Sequence, residues 1–435
     1  MRSRMRHEIS FSDLAGQRVG VFGLGIEGRA ARARLLALGC DVVVVDDDAE
    51  ATGDAAALGS SDGGLQALAH CDAVVKSPGI SRYRDDVVAL HKSGVPVLGG
   101  VGMWLEEFDR SRVICVTGTK GKSTVTTVIG HLATRLGTPT SVTGNLGMPP
   151  FAPGLDLGDQ LVVVETSSFQ ATDVAHSPGV TVVTSLGEDH VDWHGSVERY
   201  RADKLSLTRQ RGARHTILAN TTQLREHREQ IGGEVTWMTE EFGPLAAALG
   251  LPGRHGASNA AVAVGALRAA GVAGSDDEAR LLAAAEGYEP LQGRFHEIAQ
   301  HGGVRFIDDS LATNPLPTIA AIDALVGARL ALLVGGHDRG VAYDELVAEV
   351  AGREGATLVV TLPDNGPAIG GMLRPHTHVA VLDASNVDEA VRLALGWLGG
   401  SGILLLSPAA PSFSQFRSWK ERSDAFAVAV EAATR

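Results

Sequence analysis

Residues 117–124 read Thr117-Gly-Thr-Lys-Gly-Lys-Ser-Thr124, directly after an apolar run at 113–116 and before a helix-like stretch. A strand, a glycine-bearing loop and a helix in that order cradle phosphate. Gly118 and Gly121 allow the backbone N–H groups of the loop, including those of Thr119 and Lys120, to turn toward an anion. Lys122 would offset charge on β- and γ-phosphates, the Ser123 hydroxyl would reach Mg²⁺, and Thr124 opens the helix. The loop is a shortened form. The full pattern wants a glycine five positions before the Gly-Lys pair, and Val116 stands there.

Mg²⁺ on a nucleoside triphosphate usually needs a carboxylate as well. Glu165 directly follows the apolar run 161–164, at the strand end where α/β enzymes place their sites; a helix-capping acid is the plainer reading. After the run 180–184 comes Gly187-Glu-Asp-His190-Val-Asp-Trp-His-Gly195, with three acids and two histidines in one loop. His190 among carboxylates suggests a second metal site. Lys204, on the next helix-like stretch, reads on spacing alone equally well as an ordinary exposed lysine.

A second glycine loop lies near the start. Gly23-Leu-Gly25-Ile26-Glu27-Gly28 follows a strand-like run at 19–22, precedes a helix-like stretch at 29–38, and is followed by Asp46 at the end of the next strand-like run. This is the dinucleotide-binding pattern in outline. It fits NAD or FAD, another nucleotide, or a structural turn.

The elements that must position these loops are short, valine-rich runs alternating with helix-like stretches, as in sheets whose strands are buried on both faces. The fold class is α/β with largely parallel sheets. Three blocks are expected: a Rossmann-like domain at 1–111, a P-loop ATPase-like central domain at 112–290, and a second Rossmann-like domain at 291–435. The irregular stretch 221–250 could hold short antiparallel strands. The 435 residues exceed one hydrophobic core. With 38 Lys plus Arg against 51 Asp plus Glu, the net charge of −13 argues against general nucleic-acid binding. The three cysteines, Cys40, Cys71 and Cys115, show no metal-ligand spacing and suit a reducing compartment. The basic N-terminus has no apolar stretch after it, and no apolar run is long enough to span a membrane. A cytoplasmic protein without membrane insertion is expected.

Taken in order, the motifs resemble the Mur ligase family over nearly the whole chain. Thr117–Thr124, Gly144-Asn145-Leu-Gly147, Glu165-Thr-Ser-Ser168, Glu188-Asp-His190 and Arg254-His-Gly-Ala-Ser-Asn259 are similar to its central domain. Arg294-Phe, Asp308-Asp-Ser-Leu-Ala-Thr-Asn-Pro315, Gly335-Gly-His-Asp-Arg339 and Leu406-Ser-Pro408 are similar to its C-terminal domain. Ser77-Pro-Gly79 resembles the N-terminal domain of the glutamate-adding branch. The resemblance implies an ATP-dependent ligase of peptidoglycan precursor synthesis. It would join glutamate to UDP-N-acetylmuramoyl-L-alanine through an acyl-phosphate. Gly25, Ile26, Glu27, Asp46 and Ser77 would hold the UDP-sugar, and Asn145 would lie near its reacting end. Lys122 and Ser123 would hold the ATP phosphates and Mg²⁺. Glu165, His190 and a carbamylated Lys204 would complete the sites of two Mg²⁺ ions. Asn259 would contact adenine, and Arg294 and Asp309 ATP phosphate or ribose. A monomer is expected.

Two departures bear on which glutamate is added. The usual D-glutamate branch carries a lysine where this chain has Leu311, and a phenylalanine where it has Trp419. Other strings, including Val75-Lys-Ser-Pro-Gly-Ile-Ser81, Asp192-Trp-His-Gly195 and Gly336-His-Asp-Arg-Gly340, resemble a variant subfamily that adds L-glutamate and relies on a downstream epimerase. L-Glutamate is the preferred reading, with Thr313, Arg339 and Ser412 as its carboxylate anchors. An ordinary D-glutamate ligase is the alternative. More distant are an NAD-dependent oxidoreductase, a non-enzymatic P-loop regulator and a folylpolyglutamate synthetase. Each leaves one of the glycine loops or the third block unexplained.

Overall fold

A computed structural model describes residues 6–239, 242–251, 253–413 and 415–435. Among them the chain forms three sheets, and it groups into two compact units, Met1–Leu249 with Gly256–Tyr288, and Gly250–His255 with Glu289–Arg435.

The first unit carries two sheets. One comprises β1 (Arg18–Phe22), β2 (Asp41–Asp46), β3 (Leu58–Gly59), β4 (Ala73–Lys76) and β5 (Val97–Gly99), all parallel, in the order β3-β2-β1-β4-β5. The strand order reverses about β1 and β4, which opens a crevice at their C-terminal ends. The Gly23–Gly28 loop follows β1 and Ser77-Pro-Gly79 follows β4, so both face that crevice. The other sheet comprises β6 (Val113–Thr117), β7 (Thr140–Gly144), β8 (Leu161–Glu165), β9 (Val180–Val183), β10 (His215–Ala219) and β11 (Glu234–Met238), again all parallel, in the order β11-β10-β9-β6-β8-β7. Strands β6, β8 and β9 are buried along their whole length, in keeping with their valine-rich sequences. The stretch 221–250 differs from expectation. It holds short helices at Thr222–Glu226 and Gly243–Ala248, and β11 pairs parallel with β10, because the intervening helix returns the chain in the same direction.

The second unit carries β12 (His296–His301), β13 (Gly303–Asp308), β14 (Leu330–Val334), β15 (Thr357–Thr361), β16 (Val379–Asp383) and β17 (Ser401–Leu406), in the order β12-β13-β17-β14-β15-β16. Only the edge strand β12 is antiparallel, joined to β13 by a tight turn. Helices on both faces of this sheet close two hydrophobic cores, one around Phe306 and Phe426, the other around Leu332 and Ile369. All three cysteines are buried and free. No described helix is long and apolar enough to cross a membrane.

Candidate active site

The phosphate loop leaves β6 and enters the helix Lys122–Arg135, with Gly121 as its left-handed cap at φ 83°. A Cβ at Gly118 would overlap the Thr184 hydroxyl, and one at Gly121 would lie 2.7 Å from Asn259 Oδ1. Asn259 therefore sits against the loop. The loop is braced from β9's exit: Thr184 Oγ1 donates to the Lys120 carbonyl at 2.5 Å, and Lys120 N–H donates to Ser185 Oγ at 2.8 Å. Thr119 Oγ1 accepts from Gly187 N–H and pairs with Tyr200 OH at 2.9 Å, so its hydroxyl is engaged in the scaffold. Lys122 Nζ curls back onto the Gly118 carbonyl at 2.9 Å. Ser123 is buried at the helix start, and Thr124 is partly exposed beside it.

Parallel pairing sets Glu165, the last residue of β8, beside Val116. Its Oε1 accepts from Asn145 Nδ2 at 2.9 Å, while Oε2 is buried with no hydrogen-bond partner. A buried carboxylate oxygen without a donor is costly unless a cation meets it. That oxygen fits a Mg²⁺ ion, which takes one or two carboxylates and completes its shell with phosphate and water. No cluster of three or more acidic, histidine or cysteine ligands occurs among the described residues.

His190 adopts a left-handed conformation at φ 49°, capping the helix Val191–His194. Its imidazole is half exposed and meets the Phe169 ring edge-on at 4.8 Å. Burial, together with the Lys204 and Lys122 charges, lowers its pKa, which favours the neutral, ligating form. Lys204 is buried and donates from Nζ to the Gly118 carbonyl at 3.0 Å. Burial, and then Lys122, drives its pKa well below that of an ordinary lysine. A neutral, uncharged amine is the form that CO₂ can carbamylate, and the resulting anion would relieve the crowding of cations.

At the first sheet, Asp46 Oδ2 accepts from Leu24 N–H at 2.6 Å, and Ser77 Oγ donates to the Gly23 carbonyl at 2.6 Å. Both side chains thus shape the loop itself. A Cβ on Gly28 would overlap the Gly23 carbonyl oxygen, so the helix can approach the loop only with glycine there. Gly25 and Ile26 are exposed at the crevice. Glu27 hydrogen-bonds Gln170, and burial pushes its pKa up to about 7.

In the second unit, Asp309 is buried, with Oδ1 accepting from Phe295 N–H at 3.1 Å and Oδ2 from Ser407 Oγ at 2.7 Å. Burial raises its pKa to about 7, against the nearby charge of Arg294. Leu311 and Thr313 follow on the same loop, both partly exposed. Arg339 is exposed, with its guanidinium 6.0 Å from the Phe413 ring, and Ser412 is buried next to Phe413. Two surface grooves of about 340 and 420 Å³ contain none of these residues. The larger, lined by Asp109, Arg110, Gly179 and Arg214, lies at the opposite, N-terminal ends of the central strands.

Comparison with known proteins decides the family. Residues 116–230 match the Mur ligase middle domain, and residues 293–410 match the Mur ligase glutamate ligase domain. A UDP-N-acetylmuramoyl-L-alanine--L-glutamate ligase of Salinispora tropica is 37% identical over 96% of this chain and 98% of its own. Proteins of the same name from Micromonospora sp. and Xanthomonas axonopodis are 38% and 34% identical, each over 96% of this chain, and 97% and 95% of their own. The chain belongs to the Mur ligase family. Its fold is shared with the UDP-N-acetylmuramate-alanine ligase MurC of Thermotoga maritima (TM-score 0.57, 17% identity, 96% of this chain and 100% of that one). The MurF ligase of the same organism, solved with ADP, aligns with TM-score 0.57 at 13% identity over 99% of both chains. As a Mur ligase, it is an ATP-dependent amide-bond-forming enzyme, which sets aside the nicotinamide oxidoreductase.

Several residues of this Mur ligase site escaped the sequence reading. Tyr200 lies one helical turn before Lys204, its ring 4.9 Å from Nζ; the i, i+4 spacing was the available signal. The second histidine of the acid-rich loop, His194, has both ring nitrogens engaged by protein groups. It is fully buried, with Nδ1 2.8 Å from Asp203 Oδ2 and Nε2 3.0 Å from Ser168 Oγ. The carboxylate can only accept, so Nδ1 carries the proton and Nε2 accepts from the Ser168 hydroxyl. Tyr83 OH donates to the same carboxylate at 2.7 Å. Nothing in the sequence joins Tyr83 to Asp203 across that separation.

Proposed function

We propose that this chain adds L-glutamate to UDP-N-acetylmuramoyl-L-alanine. The observation that carries the reading is the set of relatives of that name, aligned end to end, together with Leu311 where the D-glutamate branch carries lysine. A neutral leucine offers no charge to a glutamate carboxylate; Arg339, with Thr313 and Ser412, supplies the polar groups for the L-isomer. The expected divisions 1–111, 112–290 and 291–435 would then serve the UDP-sugar, ATP and the amino acid.

The alanyl carboxylate attacks the γ-phosphorus of ATP and ADP leaves. The amine of glutamate then attacks the acyl carbon, expels phosphate and loses a proton. Two anions must meet in the first step, so positive charge is the main requirement. Backbone N–H groups of 118–123 cradle the phosphates, and Lys122 swings from the Gly118 carbonyl onto them. Ser123 and Glu165 would hold one Mg²⁺, and His190 with the carbamate of Lys204 a second. Bound there, the metal ions would offset the negative charge that opposes the reaction. Asn145 holds Glu165 in place and lies at the reacting end. The Gly23–Gly28 and Ser77–Gly79 loops bind the UDP-sugar at the crevice of the first sheet.

The test is phosphate release with ATP, Mg²⁺ and UDP-N-acetylmuramoyl-L-alanine, with L- or D-glutamate in separate reactions. Turnover confined to L-glutamate is expected, and it implies that an epimerase acts on the product afterwards. Turnover confined to D-glutamate would overturn the stereochemical assignment.

A further inference from the structure

The loop that follows β4 and the short helix Val191–His194 come from different sheets, yet one side chain joins them. Trp193 Nε1 lies 3.1 Å from both the Pro78 and the Gly79 carbonyl oxygens, donating a shared hydrogen bond to the loop. Ser81 Oγ returns a bond to the Trp193 carbonyl at 2.8 Å. The indole stacks on Phe169 at 4.5 Å and 21°, and Phe169 in turn meets the His190 ring edge-on. Lys76 Nζ sits 5.7 Å from the indole centroid, paired with Asp173.

A four-residue helix cannot hold its own shape. His190, at its cap, is in a left-handed conformation and has no side-chain capping bond. Its orientation therefore rests on packing, and the packing runs through Phe169 to Trp193. A shift of the Pro78–Gly79 carbonyls changes where Nε1 can bond, hence where the indole and the rings behind it lie.

We infer that Trp193 is a positioning residue that couples the sugar-nucleotide loop at Ser77–Ser81 to the metal-ligating imidazole of His190. This rests on the function proposed above for the two loops. It adds that filling one half-site orders the other.

Two measurements separate the inference from the reading beneath it. Trp193→Phe keeps the ring stack and removes the Nε1 donor; Ser81→Ala removes the return bond and leaves the indole intact. The first measurement is Mn²⁺ binding to the full chain with ATP and no sugar nucleotide, read by electron paramagnetic resonance. One lost hydrogen bond corresponds to a change of about fivefold. Trp193→Phe should weaken Mn²⁺ binding by about that factor, and Ser81→Ala should weaken it in the same direction, with melting temperatures held close to the parent. The second is steady-state turnover: KM for UDP-N-acetylmuramoyl-L-alanine should rise about fivefold in Trp193→Phe while KM for glutamate stays put. Unchanged Mn²⁺ affinity in both variants would overturn the coupling, whether or not the muramoyl substrate is used. Absence of turnover in the parent chain would overturn the proposed function and leave the Mn²⁺ result to decide the coupling alone.

Discussion

Replacing Asp173 should weaken the first unit more than replacing either of its cationic partners. Lys76 Nζ is 2.6 Å from Asp173 Oδ2 and Arg82 Nη1 is 3.5 Å from Oδ1, and all three side chains are nearly solvent-free. At an effective dielectric near 20 the two attractions are roughly 6 and 5 kcal/mol before desolvation is charged against them. Burial would raise the Asp173 pKa, yet Lys76 and then Arg82 outweigh it and hold the carboxyl below its usual value. Asp173→Asn keeps the shape, which matters because a Cβ at Gly99 would already lie 2.7 Å from Asp173 Cβ. It strands the buried Lys76 ammonium and leaves Arg82 to the Thr172 carbonyl, and the expected cost is about 3–5 kcal/mol. Lys76→Met leaves Asp173 paired with Arg82 and should cost about 1–2 kcal/mol. The double variant should cost no more than Asp173→Asn alone, because Lys76 has nothing left to pair with. Urea unfolding or calorimetry reads these values, with the second unit's transition as an internal control that stays in place. The sign with pH follows. A carboxyl whose folded pKa is depressed contributes stability above its unfolded pKa near 3.8, and that contribution is lost as pH falls through the lower folded value. Additive single costs, or a Lys76→Met cost equal to that of Asp173→Asn, would refute the reasoning.

Other outcomes follow from the same geometry. Glu27 has a folded pKa raised to about 7 from 4.5, so the native state holds the proton longer than the unfolded chain and stability falls as pH rises between those values. Its partial exposure limits the effect to about 1–3 kcal/mol, and Glu27→Gln should flatten the melting profile between pH 5 and 8, to about the same degree. Depleting CO₂ from the enzyme should lower phosphate release about 10- to 100-fold, with bicarbonate restoring it in the parent and not in Lys204→Met; activity indifferent to bicarbonate would argue against a carbamate. Gly28→Ala should cost about 1–3 kcal/mol of stability, seen as a lower melting temperature, and weaken UDP-sugar binding, because the new methyl group meets the Gly23 carbonyl; parent-like binding by calorimetric titration would count against a tight loop.

Much of the scaffold was legible because strands buried on both faces have to be apolar throughout. The runs at 113–116, 161–164 and 330–334 became β6, β8 and β14 within a residue or so at their ends. The two-residue β3 and three-residue β5 were too short to leave a pattern, and the edge strand β11, half polar, looked irregular. Chemistry read from contiguous strings was easier still, since the phosphate loop needs its glycines, lysine and serine in sequence. What the chain could not reveal was direction and company. His190 and His194 stand four residues apart in one acid-rich loop, yet one faces the loop's open side and the other is sealed against Asp203 and Ser168. Lys76 looked like one residue of a subfamily string and is in fact a buried ion-pair partner of Asp173, nearly a hundred residues later. Such pairings are set by how strand ends are brought together, which only the folded arrangement specifies.

The three thiols have a practical consequence. Cys40, Cys71 and Cys115 are at most 7% exposed, and burial pushes the Cys115 thiol up to about 12. Burial keeps all three out of reach of an alkylating reagent. A cysteine introduced at an exposed point, such as Ile26 beside the first glycine loop or Phe413 in the second unit (each 62% exposed), would therefore take a maleimide dye alone. The enzyme arrives with a silent background for site-specific fluorescence, and each loop's response to nucleotide, sugar and amino acid can be watched in turn without first stripping out the native cysteines.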